Sequence, residues 1–170
     1  AIKFIKENGL NEFFDGDCED VGIICQGGLY NSVIRGLQQI GLADPFGNSR
    51  IPIYCMNVTY PTVPDEVIGF CAGKRSVCIV EEGFPAYLEQ ELNATLRKAD
   101  LNTTIVGKDV FPMAGEYQSE VMMNGLAKFV EGAVPKGIDL APIAAVTKAV
   151  ADNKELAAEL LGAPIPKRPP

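Results

Sequence analysis

Short, uninterrupted apolar runs alternate along this chain with stretches in which apolar residues recur at helical spacing. Val21-Gly22-Ile23-Ile24-Cys25 is the first such run; it stops at Gln26-Gly27-Gly28, after which Leu29, Val33, Leu37 and Ile40 lead up to Gly41. That order predicts a strand, a glycine turn and a helix. Ile51 to Val58 reads as a second strand, followed by a helix from Pro64 to Phe70 that carries Asp65 and Glu66 in its first turn, where the helix dipole favours them. Ser76 to Val80 is a third strand, and Leu88, Leu92, Thr95 and Leu96 stripe the helix after it. Thr103 to Val106 is a fourth, and a helix is expected from about Glu116 to Val130. Strands apolar on both faces and alternating with helices indicate a mostly parallel sheet covered on both sides, a three-layer α/β/α sandwich over residues 1–132.

The flanks are less regular. Ile2, Phe4 and Ile5 with Lys3, Lys6 and Glu7 predict a short opening helix that Gly9 stops, and Asn11 to Asp20 is an acidic connection with room for a short edge strand at Phe13-Phe14. Gly132, Pro135, Gly137 and Pro142 interrupt the far end, so Ala144 to Val150 and Glu155 to Leu161 read as two helical pieces of an arm over residues 133–170. The thin apolar faces of the arm suit packing on a neighbouring domain. Ala1 in place of Met and the Lys167-Arg168-Pro169-Pro170 ending read as part of something longer.

Composition removes several chemistries. With 170 residues, no His and five Cys, the chain cannot form a Ser-His-Asp or Cys-His centre or a helical His-Glu-x-x-His metal site. Its net charge of −7 repels a phosphate backbone, so nucleic acid is not an expected partner. No apolar stretch approaches the roughly 20 residues of a membrane span, and the amino end is no signal peptide, which leads to the expectation of a cytoplasmic protein without a membrane partner. Cys18, Cys25, Cys55, Cys71 and Cys78 show no Cys-x-x-Cys spacing and read as buried reduced thiols.

Three places invite a functional reading. Gln26-Gly27-Gly28 could approach an anion, but Gly27-Gly28-Leu29-Tyr30-Asn31-Ser32 lacks the third glycine of a dinucleotide fingerprint, and a tight turn explains it as well. Glu81-Glu82 end a buried strand, at the edge of an α/β sheet where ligands and partners dock. They suit general acid–base work, a helix cap or an ion pair across an interface. Tyr60-Pro61 and Asp109-Val110-Phe111-Pro112 are proline-punctuated loops expected to present aromatic rings at the same edge, while Met122 and Met123 read as ordinary core.

Taken in order, several segments resemble one series: Val21 to Gly28, Val58-Thr59-Tyr60-Pro61 before Pro64, Val77-Cys78-Ile79-Val80-Glu81-Glu82-Gly83, Gly107-Lys108-Asp109, and Pro112 with Gly115-Glu116. That series resembles the transketolase C-terminal-like domain of the indolepyruvate:ferredoxin oxidoreductase large subunit, among the thiamine-dependent 2-oxoacid:ferredoxin oxidoreductases. The Asp44 to Arg50 loop and the acidic stretch before Val21 depart from the pattern. The resemblance implies a five-stranded mixed sheet, and a parent enzyme that decarboxylates an aryl pyruvate and yields an acyl-CoA. Thiamine diphosphate, magnesium, iron–sulfur clusters, coenzyme A and ferredoxin would serve that parent, with no cofactor, metal or catalytic residue in this domain. On that basis Gly27, Gly28, Tyr30, Tyr60, Pro61, Glu81, Glu82 and Gly83 are expected at an interface with other domains and subunits. The other readings are a free-standing flavodoxin-like module holding a nucleotide or flavin at Gly27-Gly28, and a thiol redox protein using Cys25 or Cys55.

Overall fold

The computed structural model describes residues 1–162; the Lys167-Arg168-Pro169-Pro170 segment lies outside the described residues. The elements run in the order α1 (Ile2–Glu7), β1 (Glu12–Phe14), β2 (Val21–Gln26), a 3₁₀ turn (Gly27–Leu29), α2 (Tyr30–Gln39), β3 (Ile53–Met56), α3 (Pro64–Cys71), β4 (Ser76–Val80), α4 (Tyr87–Lys98), β5 (Thr104–Val106), α5 (Ser119–Ala133) and α6 (Ala141–Leu161). One five-stranded sheet has the order β1-β3-β2-β4-β5. β3, β2, β4 and β5 pair in parallel, and β1 lies antiparallel along the outer edge of β3, with Phe14 opposite Ile53. The acidic connection therefore holds the edge strand at Phe13-Phe14, and the sheet is mixed.

Both faces of the central strands are buried, which explains the unbroken apolar runs. Because successive side chains alternate, Ile23, Cys25, Ile53, Cys55, Cys78 and Val80 meet the layer of α2 and α5, while Ile24, Tyr54, Met56, Val77 and Ile79 meet α3 and α4. Met122 and Met123 are core residues. All five cysteines are free and buried, with Cys25 and Cys55 paired in register on adjacent strands.

Two expectations are corrected here. The two predicted helical pieces of the arm are one continuous 21-residue helix, α6, because no Gly or Pro falls between Ile143 and Leu161 and Asp152-Asn153 alone does not break a helix. Pro142, read as an interruption, instead sits in the first turn, where its missing N–H costs nothing. Ile143, Val146 and Val150 of α6 pack on the α5 side of the core, and Lys154 reaches Glu120 in the first turn of α5 at 2.7 Å. The two helices are thus antiparallel, and α6 overruns α5 beyond Lys154. The second correction concerns Phe111. It is only 3% exposed, seated where Gly125 of α5 leaves no side chain and stacked on Tyr117 with ring centroids 5.1 Å apart.

Candidate interface at the strand ends

The chain order reverses at β2. The connection after it leads outward to β3, the next crosses back to β4 on its other side, and the carboxyl ends of β2 and β4 border the crevice where α/β sheets take ligands and partners. Gln26-Gly27-Gly28 leave β2 there and Glu81-Glu82-Gly83 leave β4, so the sheet brings together two of the three places singled out above. The Gln26 side chain ties them, its Oε1 accepting the Glu82 N–H at 3.1 Å. Tyr60, in the loop after β3, borders the same space.

Glu81 is 6% exposed, and its carboxylate accepts the N–H of Leu88 at 3.0 Å and of Glu89 at 3.2 Å. These are orphan donors of the first turn of α4, whose N-cap position is held by Ala86, a residue with no acceptor. Glu81 therefore caps α4 from six residues upstream. Glu82 is exposed and accepts the N–H of Tyr117. Glu89 Oε2 accepts the Lys108 N–H at 2.9 Å, an approach possible because a side chain at Gly107 would collide with that carboxylate. The Lys108 ammonium donates to the Glu81 carbonyl at 2.6 Å and to the Tyr117 hydroxyl at 2.7 Å, and that hydroxyl donates to the Pro112 carbonyl at 2.9 Å.

This network braces the ends of β4, β5 and α5 against one another. Burial lowers the Lys108 pKa below the ordinary lysine value, with Glu81 and Glu89 pulling the other way. Burial and the carboxylates of Glu82 and Glu81 push Tyr117 up to about 12. Neither group is presented to an incoming substrate, since each already holds protein partners. Among the described residues no buried side-chain polar atom lacks a partner.

The remaining predicted positions divide. Gly27 packs against Asn57, and Gly28 is exposed above open space. Gly83 turns the chain at φ +99°. Tyr30 is half-buried and stacks on Phe14 at 4.6 Å, near Cys25 and Cys55. Tyr60 is 84% exposed and its bond to Pro61 is cis. Phe84 and Tyr87, which follow Glu81-Glu82-Gly83, are 66% and 68% exposed, and Phe84 precedes a second cis proline. Sequence reasoning passed over both, although Phe84-Pro85 repeats the aromatic–proline signature of Tyr60-Pro61. Gln26, Thr59, Tyr60, Glu81, Tyr87, Leu88 and Glu91 line a pocket of about 400 Å³.

A diphosphate needs clustered N–H donors or cations. This pocket carries two carboxylates and no Lys or Arg, and the N-terminus of α4 beside it is already taken by Glu81. Its residues do not fit thiamine diphosphate, nor the phosphate of a nucleotide or flavin. Among the described residues, no group of three or more His, Cys, Asp or Glu could hold a metal. No described helix is long and apolar enough to cross a membrane.

No protein-family profile matches the chain. Two curated proteins are similar to it. The indolepyruvate oxidoreductase subunit IorA of Methanothermobacter thermautotrophicus is 28% identical over 124 residues, which are 71% of this chain and 19% of that protein. The subunit of the same name from Methanothermobacter marburgensis is 30% identical over 121 residues, 69% of this chain and 18% of that one. The chain thus spans about a fifth of the length of the curated relatives it matches. Over that shared segment the chain is similar to part of the indolepyruvate oxidoreductase subunit IorA.

Proposed function

We propose that this chain is a non-catalytic structural and interface domain of an indolepyruvate-type 2-oxoacid:ferredoxin oxidoreductase, docking through the strand-end edge onto other domains and subunits of that enzyme. Its α/β unit is residues 1–132, and residues 133–170 form the arm that leads toward a neighbouring domain. The parent oxidatively decarboxylates aryl pyruvates to acyl-CoA in the cytoplasm. Its thiamine diphosphate, magnesium, iron–sulfur clusters and coenzyme A are bound outside these residues, and ferredoxin is met through the parent.

The observation that carries this reading is the pairing of an internally satisfied polar network with exposed rings. Glu81, Glu82, Glu89, Lys108 and Tyr117 hold one another, while Tyr60, Phe84 and Tyr87 stand in solvent at the same edge. Large exposed aromatics rimmed by polar groups mark a protein-binding surface. The interface residues are therefore Tyr60, Pro61, Glu81, Glu82 and Gly83 with Gly27 and Gly28, and Phe84 and Tyr87 join them. Tyr30 stays among them, its half-buried ring stacked on Phe14.

The test is to supply the purified 170-residue chain with indolepyruvate, coenzyme A, thiamine diphosphate, magnesium and a dye acceptor, and in parallel to titrate it with thiamine diphosphate by calorimetry. No turnover and no heat of binding are expected. Turnover by the chain alone, or stoichiometric binding of thiamine diphosphate, would overturn the proposal.

A further inference from the structure

The geometry points to a specific occupant for the Tyr60–Tyr87 pocket: the guanidinium of an arginine carried by an adjoining polypeptide segment of the assembled enzyme. This deepens the interface reading above and rests on it. The pocket is lined by Leu88 and the buried Glu81, by the exposed Tyr60 and Tyr87, and by Glu91. The two carboxylates differ. Both oxygens of Glu81 are committed to α4, whereas Glu91 accepts only the Thr62 hydroxyl at Oε1, leaving Oε2 without a protein partner among the described residues. Thr62 is itself buried, so that hydrogen bond fixes the carboxylate at the pocket wall.

Among the described residues the pocket lining includes no Lys or Arg, and the Lys108 ammonium is tied to the Glu81 backbone carbonyl and to Tyr117. A group that enters here meets two exposed tyrosines and a carboxylate, Glu91, that no cation neutralises among the described residues. Such a lining favours a planar cation, which stacks on a tyrosine ring while presenting N–H donors to a carboxylate. A guanidinium meets both demands better than an ammonium, whose compact charge is held more strongly by water. An anion is repelled, and a neutral apolar side chain leaves Glu91 Oε2 desolvated without a donor. The chain's net charge of −7 adds long-range attraction for a basic partner. Its relatives are about five times as long as the matched segment, so polypeptide that could supply the arginine exists beyond it.

The test titrates the ¹⁵N-labelled 170-residue chain with N-acetyl-argininamide and, separately, with its neutral isostere N-acetyl-citrullinamide, following amide shifts by NMR. Saturable shifts centred on Tyr60, Tyr87, Leu88 and Glu91 are expected, with the arginine derivative at least about fivefold tighter. Glu91→Gln should erase that preference, and Tyr87→Ala, at an exposed position that the fold tolerates, should weaken arginine binding about as much. Equal binding of the two probes, a preference that survives Glu91→Gln, or no saturable shift at these residues overturns the inference. The interface reading is judged separately, by whether the chain co-elutes with the rest of an IorA-type subunit produced as a second polypeptide. Co-elution without arginine preference removes only the occupant proposed here, whereas loss of co-elution removes the interface itself.

Discussion

Glu81 does at a distance what an N-cap residue does in place. Substituting it by Ala frees the Leu88 and Glu89 N–H groups, and the expected loss is about 1–2 kcal/mol in a urea unfolding curve. Glu82→Ala should cost less, because Glu82 is exposed and water replaces its one bond to Tyr117. The cysteines set the alkaline limit. Burial pushes Cys18 up from 9.0 to about 11, aided by its hydrogen bond to Asp20, and burial pushes Cys71 up to about 12. In the unfolded chain these thiols ionise first. Their contribution to stability is therefore complete below pH 9 and is lost as pH rises through 11 and 12. The urea midpoint should fall steadily above pH 9, and less steeply in Cys18→Ala. A thiol reagent at pH 8 should label none of the five cysteines until denaturant is added, which also separates this account from a thiol redox protein. At this scale the sequence was partly legible. The Glu81-Glu82 pair stood out at a strand end, but which member is buried depends on strand parity. Phe111 was read as surface because its partner cavity is made by Gly125, distant in sequence.

At the scale of elements, α6 has two unlike halves. Ile143 is buried and Val146 and Val150 lean on the core, whereas every residue from Ala151 to Gly162 is exposed. Ile143→Ala should cost about 2–4 kcal/mol. Ending the chain after Lys154 should leave the unfolding midpoint unchanged, because residues 155–162 are all exposed. An appreciable fall would mean that the distal turns pack on the domain in solution. The central strands were readable because both their faces are buried and each run is apolar without interruption. Boundaries were less so. Residues 51–58 form a strand only from Ile53 to Met56, and α5 starts at Ser119, since the residues before it serve the network around Tyr117. The arm was misread because its apolar stripe is thin, and periodicity alone does not show that a helix with weak burial continues unbroken.

For the whole molecule, the sheet places unlike chemistry at its two ends. At the end where β2 and β4 start, Arg75 binds Asp20 at 3.1 Å and the Ala133 carbonyl at 2.6 Å, and Arg50 binds Asp17 at 3.1 Å, so charges there close on one another. At the opposite end the polar groups are braced inward and the rings of Tyr60, Phe84 and Tyr87 face out. On the proposed reading, the first end is the closed back of the domain and the second, where exposed rings stand beside carboxylates, is its front. The fold class followed from the alternation of strands and helices, and so did the meeting of Gln26-Gly27-Gly28 with Glu81-Glu82 at one sheet edge. The identity of the front's residues did not, because exposure is set by loop paths that no periodicity encodes. The most direct test is a calorimetric titration of the chain into the rest of an IorA-type subunit produced as a separate polypeptide, comparing wild type with the Tyr60→Ala/Phe84→Ala/Tyr87→Ala variant. Saturable binding by wild type, weakened at least about tenfold in the variant although its unfolding curve is unchanged, is the predicted result. Equal affinity of the two proteins, or no binding by either, would contradict the account.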